Sequence, residues 1–227
     1  MENSKNKRSA TVKAILILEI LFFLVWRFSG WAPRPIPFGN PLFLALVTVS
    51  FFLPLSFERR NWKLMGLSKA NFNGKSLSFA FLIGIILSVL GFLVIIPGFE
   101  TLTNAEFDKS FFEQLRGNFN LLLAAFGISI LYAGFGEEMI YRGFILNRIT
   151  DFFGSNQLAK ILGVIGSTVI FAMAHSYQGI VGILSSGTIG LILAIVYLRY
   201  NRNLWMVIVA HATIDIIAAI LIYLSIF

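Results

Sequence analysis

The sequence predicts an all-α fold, a polytopic membrane bundle of about seven transmembrane helices with six to eight as the range. Three observations predict it. Of 227 residues, 57% are hydrophobic and only 13% charged, which is too little polar surface for a soluble globule. The apolar residues gather in runs at 12–28, 41–57, 76–97, 119–146, 158–174, 180–198 and 204–226, about the 17 to 25 residues that a helix needs to cross a bilayer. The basic residues stand in short segments between these runs and not on one folded face. The net charge of +7 is therefore a topology signal, and nucleic acid is not an expected partner.

The segments rich in Lys and Arg belong in the cytosol. They hold Lys5, Lys7, Arg8 and Lys13 before the first run, Arg59, Arg60, Lys63, Lys69 and Lys75 after the second, and Arg199 and Arg202 after the sixth. Between the third and fourth runs Glu100, Glu106, Asp108 and Glu113 outnumber Lys109 and Arg116. That loop, like the proline-rich turn at 31–37, is expected outside. The N-terminus is then cytosolic and the C-terminus external. The first run starts like a signal peptide, but no small-residue cleavage site follows Phe28, so an uncleaved helix is expected. Residues 1–118 read as N-terminal helices with interfacial segments and 119–227 as the helical core that carries the chemistry, the two forming one integrated membrane domain.

Within the runs, Glu19 reads as a polar contact between helices, and Trp26, Trp31, Trp62 and Trp205 as interfacial anchors. The mixed segment 58–75 is expected on the cytosolic surface against anionic lipid. Phe107, Phe111, Phe112 and Leu115 are spaced for an interfacial amphipathic helix. Gly182, Ser186 and Gly190 recur every four residues, so one face of the sixth helix allows close packing. Neither a longer internal repeat nor a pair of broken helices is visible, which weighs against a transporter.

Charged residues inside apolar runs demand a reason, because each costs at least ~2.5 to 3.5 kcal/mol at mid-membrane. They occur at three places: Glu137, Glu138 and Arg142; His175; and His211 with Asp215. Glu137 and Glu138 point about 100° apart on a helix, and Glu138 stands one turn before Arg142. One carboxylate can pair with Arg142 while the other faces a poorly hydrated cavity, where it suits a general base for water. With a hairpin tip at Gly154-Ser155-Asn156, Glu137 and His175 both lie roughly 25 to 30 Å from the tip at about 1.5 Å per residue. His211, about 15 Å past the turn at 200–202, matches that level if the hairpin projects some 10 to 15 Å into the cytosol. The site is then expected in the cytosolic half of the membrane. The chain has two histidines and no cysteine, so disulfides, thiolate metal sites and a Cys nucleophile are excluded.

Motif by motif these residues resemble the CPBP family, the CAAX protease and bacteriocin-processing group of intramembrane endopeptidases also called ABI. Its Glu-Glu-x-x-x-Arg motif is similar to Glu137-Glu138-Met-Ile-Tyr-Arg142, its Phe-x-x-x-His to Phe171-Ala-Met-Ala-His175, and its His-x-x-x-Asn or Asp to His211-Ala-Thr-Ile-Asp215. The resemblance covers roughly residues 120 to 220. It implies a glutamate-type endopeptidase without a cofactor, in which Glu137 and His175 activate water, with Glu138 also in the site and Arg142 and Phe171 as structural support. His211 and Asp215 assist at the scissile carbonyl. An ionised Asp215 cannot donate to an oxyanion as Asn can, so it is expected to orient His211 or favour its charged form. The implied substrate is a membrane-associated protein or peptide, such as a prenylated CAAX tail, a bacteriocin or a pheromone precursor, and the implied place is the plasma membrane. The rival readings are a zinc protease with Glu137, His175 and His211 as ligands, although His-Glu-x-x-His is absent, and a non-catalytic scaffold or self-immunity protein.

Overall fold

The computed structural model describes residues 65–154 and 156–227. The runs at 12–28 and 41–57, with Glu19, Trp26, Trp31 and Trp62, lie outside the described residues, as does Ser155 in the expected hairpin tip.

The described chain is helical, with no strand among the described residues. Five helices are long and apolar enough to cross a membrane: α1 Gly74–Thr103, α2 Phe119–Phe152, α3 Gln157–Ala174, α4 Ser176–Arg199 and α5 Leu204–Tyr223. They coincide with the five apolar runs from residue 76 onward. Four of them begin on an asparagine. The side chains of Asn73, Asn118, Asn156 and Asn203 accept from the backbone N–H of Ser76, Leu121, Ala159 and Trp205, satisfying donors that a helix start leaves unpaired. α1 ends where Asn104 takes a left-handed φ of 50°.

The helix α5 is the centre. Half of its most apolar window is buried, against 28–33% for the other four. α1 and α2 pack on it, α3 packs on α2 and α4, and α4 also touches α1 and α5. Small residues set the closest approaches: a Cβ on Gly84 would lie 2.6 Å from Thr213 Cβ, and one on Gly134 would lie 2.8 Å from Ala212 Cβ. On the outer faces Leu93, Leu131 and Ile165 are more than half exposed, as lipid-facing residues are.

Two local expectations change, and a third is followed only in part. Of the 58–75 segment, residues 58–64 lie outside the described residues and 69, 70 and 72–75 are exposed, but Met65 turns inward and is 2% exposed in the main core. There its carbonyl accepts from the Tyr197 hydroxyl at 3.3 Å, because a glycine at 143 leaves room beside it. Trp205 is no simple anchor, since its ring packs on Phe72 and Phe135 at 4.8 and 6.1 Å. The 104–118 loop forms only a short 3₁₀ helix, Ser110–Leu115, and turns its apolar residues inward. Leu115 is buried with Leu122, Ala125, Ala219 and Ile222, while Phe107 packs on Phe227.

Candidate active site

The α2 backbone is π-helical over Ser129–Glu137 and again over Met139–Leu146, and such widened turns concentrate at functional sites. Glu138 stands between the two stretches. Its side chain is wholly buried, and its Oε1 accepts from Arg142 Nη1 at 2.6 Å. The same oxygen faces His211 Nδ1 at 2.7 Å. A carboxylate oxygen accepts only, so Nδ1 carries the proton. The guanidinium is fixed twice more: Nη2 donates to the Gly190 carbonyl at 2.8 Å, and its carbon lies 4.5 Å from the centre of the Phe171 ring. Below it, Asn147 Nδ2 donates to the Arg142 and Gly143 carbonyls and to the Tyr197 hydroxyl, holding the end of the π-helical stretch.

Phe171 is the hinge between this cluster and the second histidine. Its ring lies 5.8 Å from that of His211 and 4.5 Å from that of His175. The end of α3 and the first half of α5 therefore meet at one level. His175 Nδ1 donates to the Phe171 carbonyl at 2.9 Å, because a carbonyl cannot donate, and in the neutral ring this leaves Nε2 as an acceptor. Asp215 is one turn beyond His211, with its Oδ1 3.8 Å from Nε2, an ionic distance and not a hydrogen bond.

Glu137 differs from its neighbour. It lies within electrostatic reach of His211, Asp215, Glu138 and Arg142 but stands in no ion pair among the described residues, and the Oε2 atoms of both glutamates are buried with no hydrogen-bond partner. One of the adjacent carboxylates is thus committed through Oε1 to Arg142 and His211, while the other is held by no cation among the described residues. Among the described residues no group of three or more His, Asp or Glu side chains is placed to hold a metal ion.

Residues 119–217 match the family model described as type II CAAX prenyl endopeptidase Rce1-like. This stretch is similar to an Rce1-like domain. It spans α2 to most of α5 and contains Glu137, Glu138, Arg142, Phe171, His175, His211 and Asp215. The match agrees with the CPBP resemblance of the three motifs. No curated protein and no solved structure matches the chain.

Several parts of the site in the Rce1-like domain had no signal in the sequence. The bond between Glu138 and His211 depends on which faces of α2 and α5 meet. Gly190 reads as a packing residue, but it seats the Phe171 ring, 2.7 Å from where a Cβ would stand, and its carbonyl receives Arg142. Tyr177, whose ring is stacked 6.0 Å from that of His175, is two residues from a motif histidine, and that proximity was the available hint.

Proposed function

We propose that the Rce1-like domain is an intramembrane endopeptidase that cleaves a membrane-associated protein or peptide, with Glu137 and His175 activating water. The observation that carries this reading is a buried Glu137 that stands in no ion pair among the described residues and has an unpartnered Oε2, beside a Glu138 whose Oε1 is bonded to both Arg142 and His211. A buried acceptor without a partner is costly in a folded chain, and a substrate water is the partner that hydrolysis requires.

In this reading the water's oxygen adds to the scissile carbonyl carbon as Glu137 takes one of its protons. Nε2 of His175 accepts the water's second hydrogen as a hydrogen bond and orients the attack. The tetrahedral oxyanion is met by His211, which can donate from Nε2 while doubly protonated, since its Nδ1–H stays on Glu138. Collapse breaks the C–N bond, and the proton held by Glu137 passes to the departing amine. Glu138 and Arg142 hold the imidazole and touch no reacting atom. Asp215, beside Nε2, orients His211. No step is routed through a metal. Substrates in this reading are prenylated CAAX tails or the precursors of bacteriocins or pheromones, and we propose the plasma membrane as the site of action, with the N-terminus in the cytosol.

The test is peptide cleavage by the purified, detergent-solubilised protein against prenylated tails and cell-derived peptides, with and without EDTA. Wild type should cut in both conditions and Glu137→Gln should lose about 10²- to 10⁴-fold without losing its fold. Full activity in Glu137→Gln removes this residue as the base. Loss in EDTA restored by zinc replaces the mechanism with a metal-dependent one. Cleavage by neither protein favours a scaffold or self-immunity protein.

A further inference from the structure

Beyond the motif residues, one buried polar side chain joins three parts of the molecule. Gln178, 7% exposed, donates from Nε2 to the Tyr177 hydroxyl at 3.0 Å and accepts at Oε1 from Ser186 at 3.3 Å. Its backbone carbonyl accepts from Asp108 N–H at 3.1 Å, tying the 104–118 loop to the start of α4. Gly182 is what admits this side chain, because a Cβ there would overlap Gln178 Cβ. The Gly182 and Ser186 positions, read from sequence as packing, therefore form the seat of a glutamine.

Tyr177 is the residue so held. One face of its ring is stacked on His175, at 6.0 Å and 28°, and Phe111 and Phe112 from the loop lie at 5.2 and 6.3 Å. His175 is then bounded by Phe171 at 4.5 Å and Tyr177 at 6.0 Å, contacts in the range of favourable aromatic pairs. A single Nδ1–H bond fixes one ring atom but not the ring plane. Two bounding rings fix the plane, and with it the direction of Nε2.

We infer that Gln178 is a positioning residue for His175, acting through the Tyr177 ring. Its contribution to rate rests on the role given to His175 above; its effect on the ring does not. Phe111 and Phe112 of the 104–118 loop pack on the same tyrosine, so loop and glutamine act on one ring.

The experiment uses the full chain in nanodiscs with ¹⁵N-labelled histidine. Only two histidines occur, and His175→Gln assigns the signals. Wild-type His175 should be a single tautomer protonated at Nδ1. In Gln178→Leu and in Tyr177→Phe it should become a mixture with the Nε2–H form. In the cleavage assay kcat should fall about 10- to 100-fold, the range for a misplaced group, with KM within about twofold. The double variant should be no worse than the poorer single one, because both lose one bond. Gln178→Glu, which can accept from both hydroxyls, should restore the single tautomer. A His175 that stays purely Nδ1–H in Gln178→Leu and Tyr177→Phe overturns the inference, whatever the rates do. A shifted tautomer with unchanged cleavage leaves the positioning intact and removes His175 from the proposed mechanism. Equal loss of tautomer and of thermal stability in Gln178→Leu and Gln178→Glu, with Tyr177→Phe normal, also overturns it, since the glutamine would then act on the fold alone.

Discussion

Arg142→Ala leaves Glu138, 0% exposed, with only His211 as a partner. The loss can be worked from the contacts. The charge-assisted bond to Glu138 is worth about 1.5–3 kcal/mol and the bond to the Gly190 carbonyl about 1 kcal/mol. The stack on Phe171, shielded from water, adds about 1–2 kcal/mol. The total agrees with the about 3–5 kcal/mol lost when a buried pair keeps one partner. For a chain of this size that is a fall in Tm on the order of 10 °C, measurable by tryptophan fluorescence in detergent. The second substitution Glu138→Gln, made in the Arg142→Ala background, neutralises the stranded carboxylate and should recover about 1–3 kcal/mol. Arg148→Ala is the contrast: its bond to Asp151 is 2.9 Å but half-exposed on the acid side, and a surface pair is worth about 0–1 kcal/mol. If Arg142→Ala stays within about 1 kcal/mol of wild type, or the double variant is no more stable than Arg142→Ala, the charge balance assigned to Glu138 is wrong.

Two further outcomes follow from the packing. Gly134→Ala would set a methyl 2.8 Å from Ala212 Cβ and 2.9 Å from the Ile208 carbonyl; overpacking of this kind costs about 1–3 kcal/mol, and the ¹⁵N signal of His211 should shift as its bond to Glu138 lengthens. An unchanged His211 signal would show that α2 and α5 can part without touching the site. Tyr197→Phe removes the hydroxyl that joins Asn147 to the Met65 carbonyl and should cost about 1–3 kcal/mol, because buried groups are left unpaired; urea or SDS titration reads it, and a neutral result would mean that this tie carries no stability.

The fold class and the five described spans were legible because length and apolarity suffice to define a membrane helix. So was the pairing of Glu138 with Arg142, which is fixed by spacing along one helix. Contacts between helices were not. In a soluble bundle an apolar stripe shows which face turns inward. Here Leu131 faces out at 73% exposure and Leu122 is buried at 7%, and both are leucine. Residue type therefore does not report which side of α2 meets α5, and the Glu138–His211 bond was invisible. The polar residues kept their signal because any charge in an apolar run stands out, whichever way it turns. Met65 went the other way: a short buried stretch inside a basic segment looks like surface until Gly143 and Tyr197 are seen beside it. The asparagine caps were legible in principle, since each precedes an apolar run, and would have set four helix starts closely.

The different fates of Glu137 and Glu138 follow from the closeness of two backbones. Glu138 is one turn beyond Gly134, and His211 lies between Ile208 and Ala212, the two residues that a Cβ on Gly134 would strike. Only with a glycine at that crossing does the imidazole come within 2.7 Å of Glu138 Oε1. The acid that faces α5 is thereby consumed as a structural anion between Arg142 and His211. Its neighbour, turned aside by one residue's rotation, stands in no ion pair among the described residues, although both glutamates keep a buried Oε2 without a hydrogen-bond partner. Two adjacent glutamates in lipid are tolerable because one balances the arginine, and the second, left unbalanced, is the one that the proposed mechanism uses as its base.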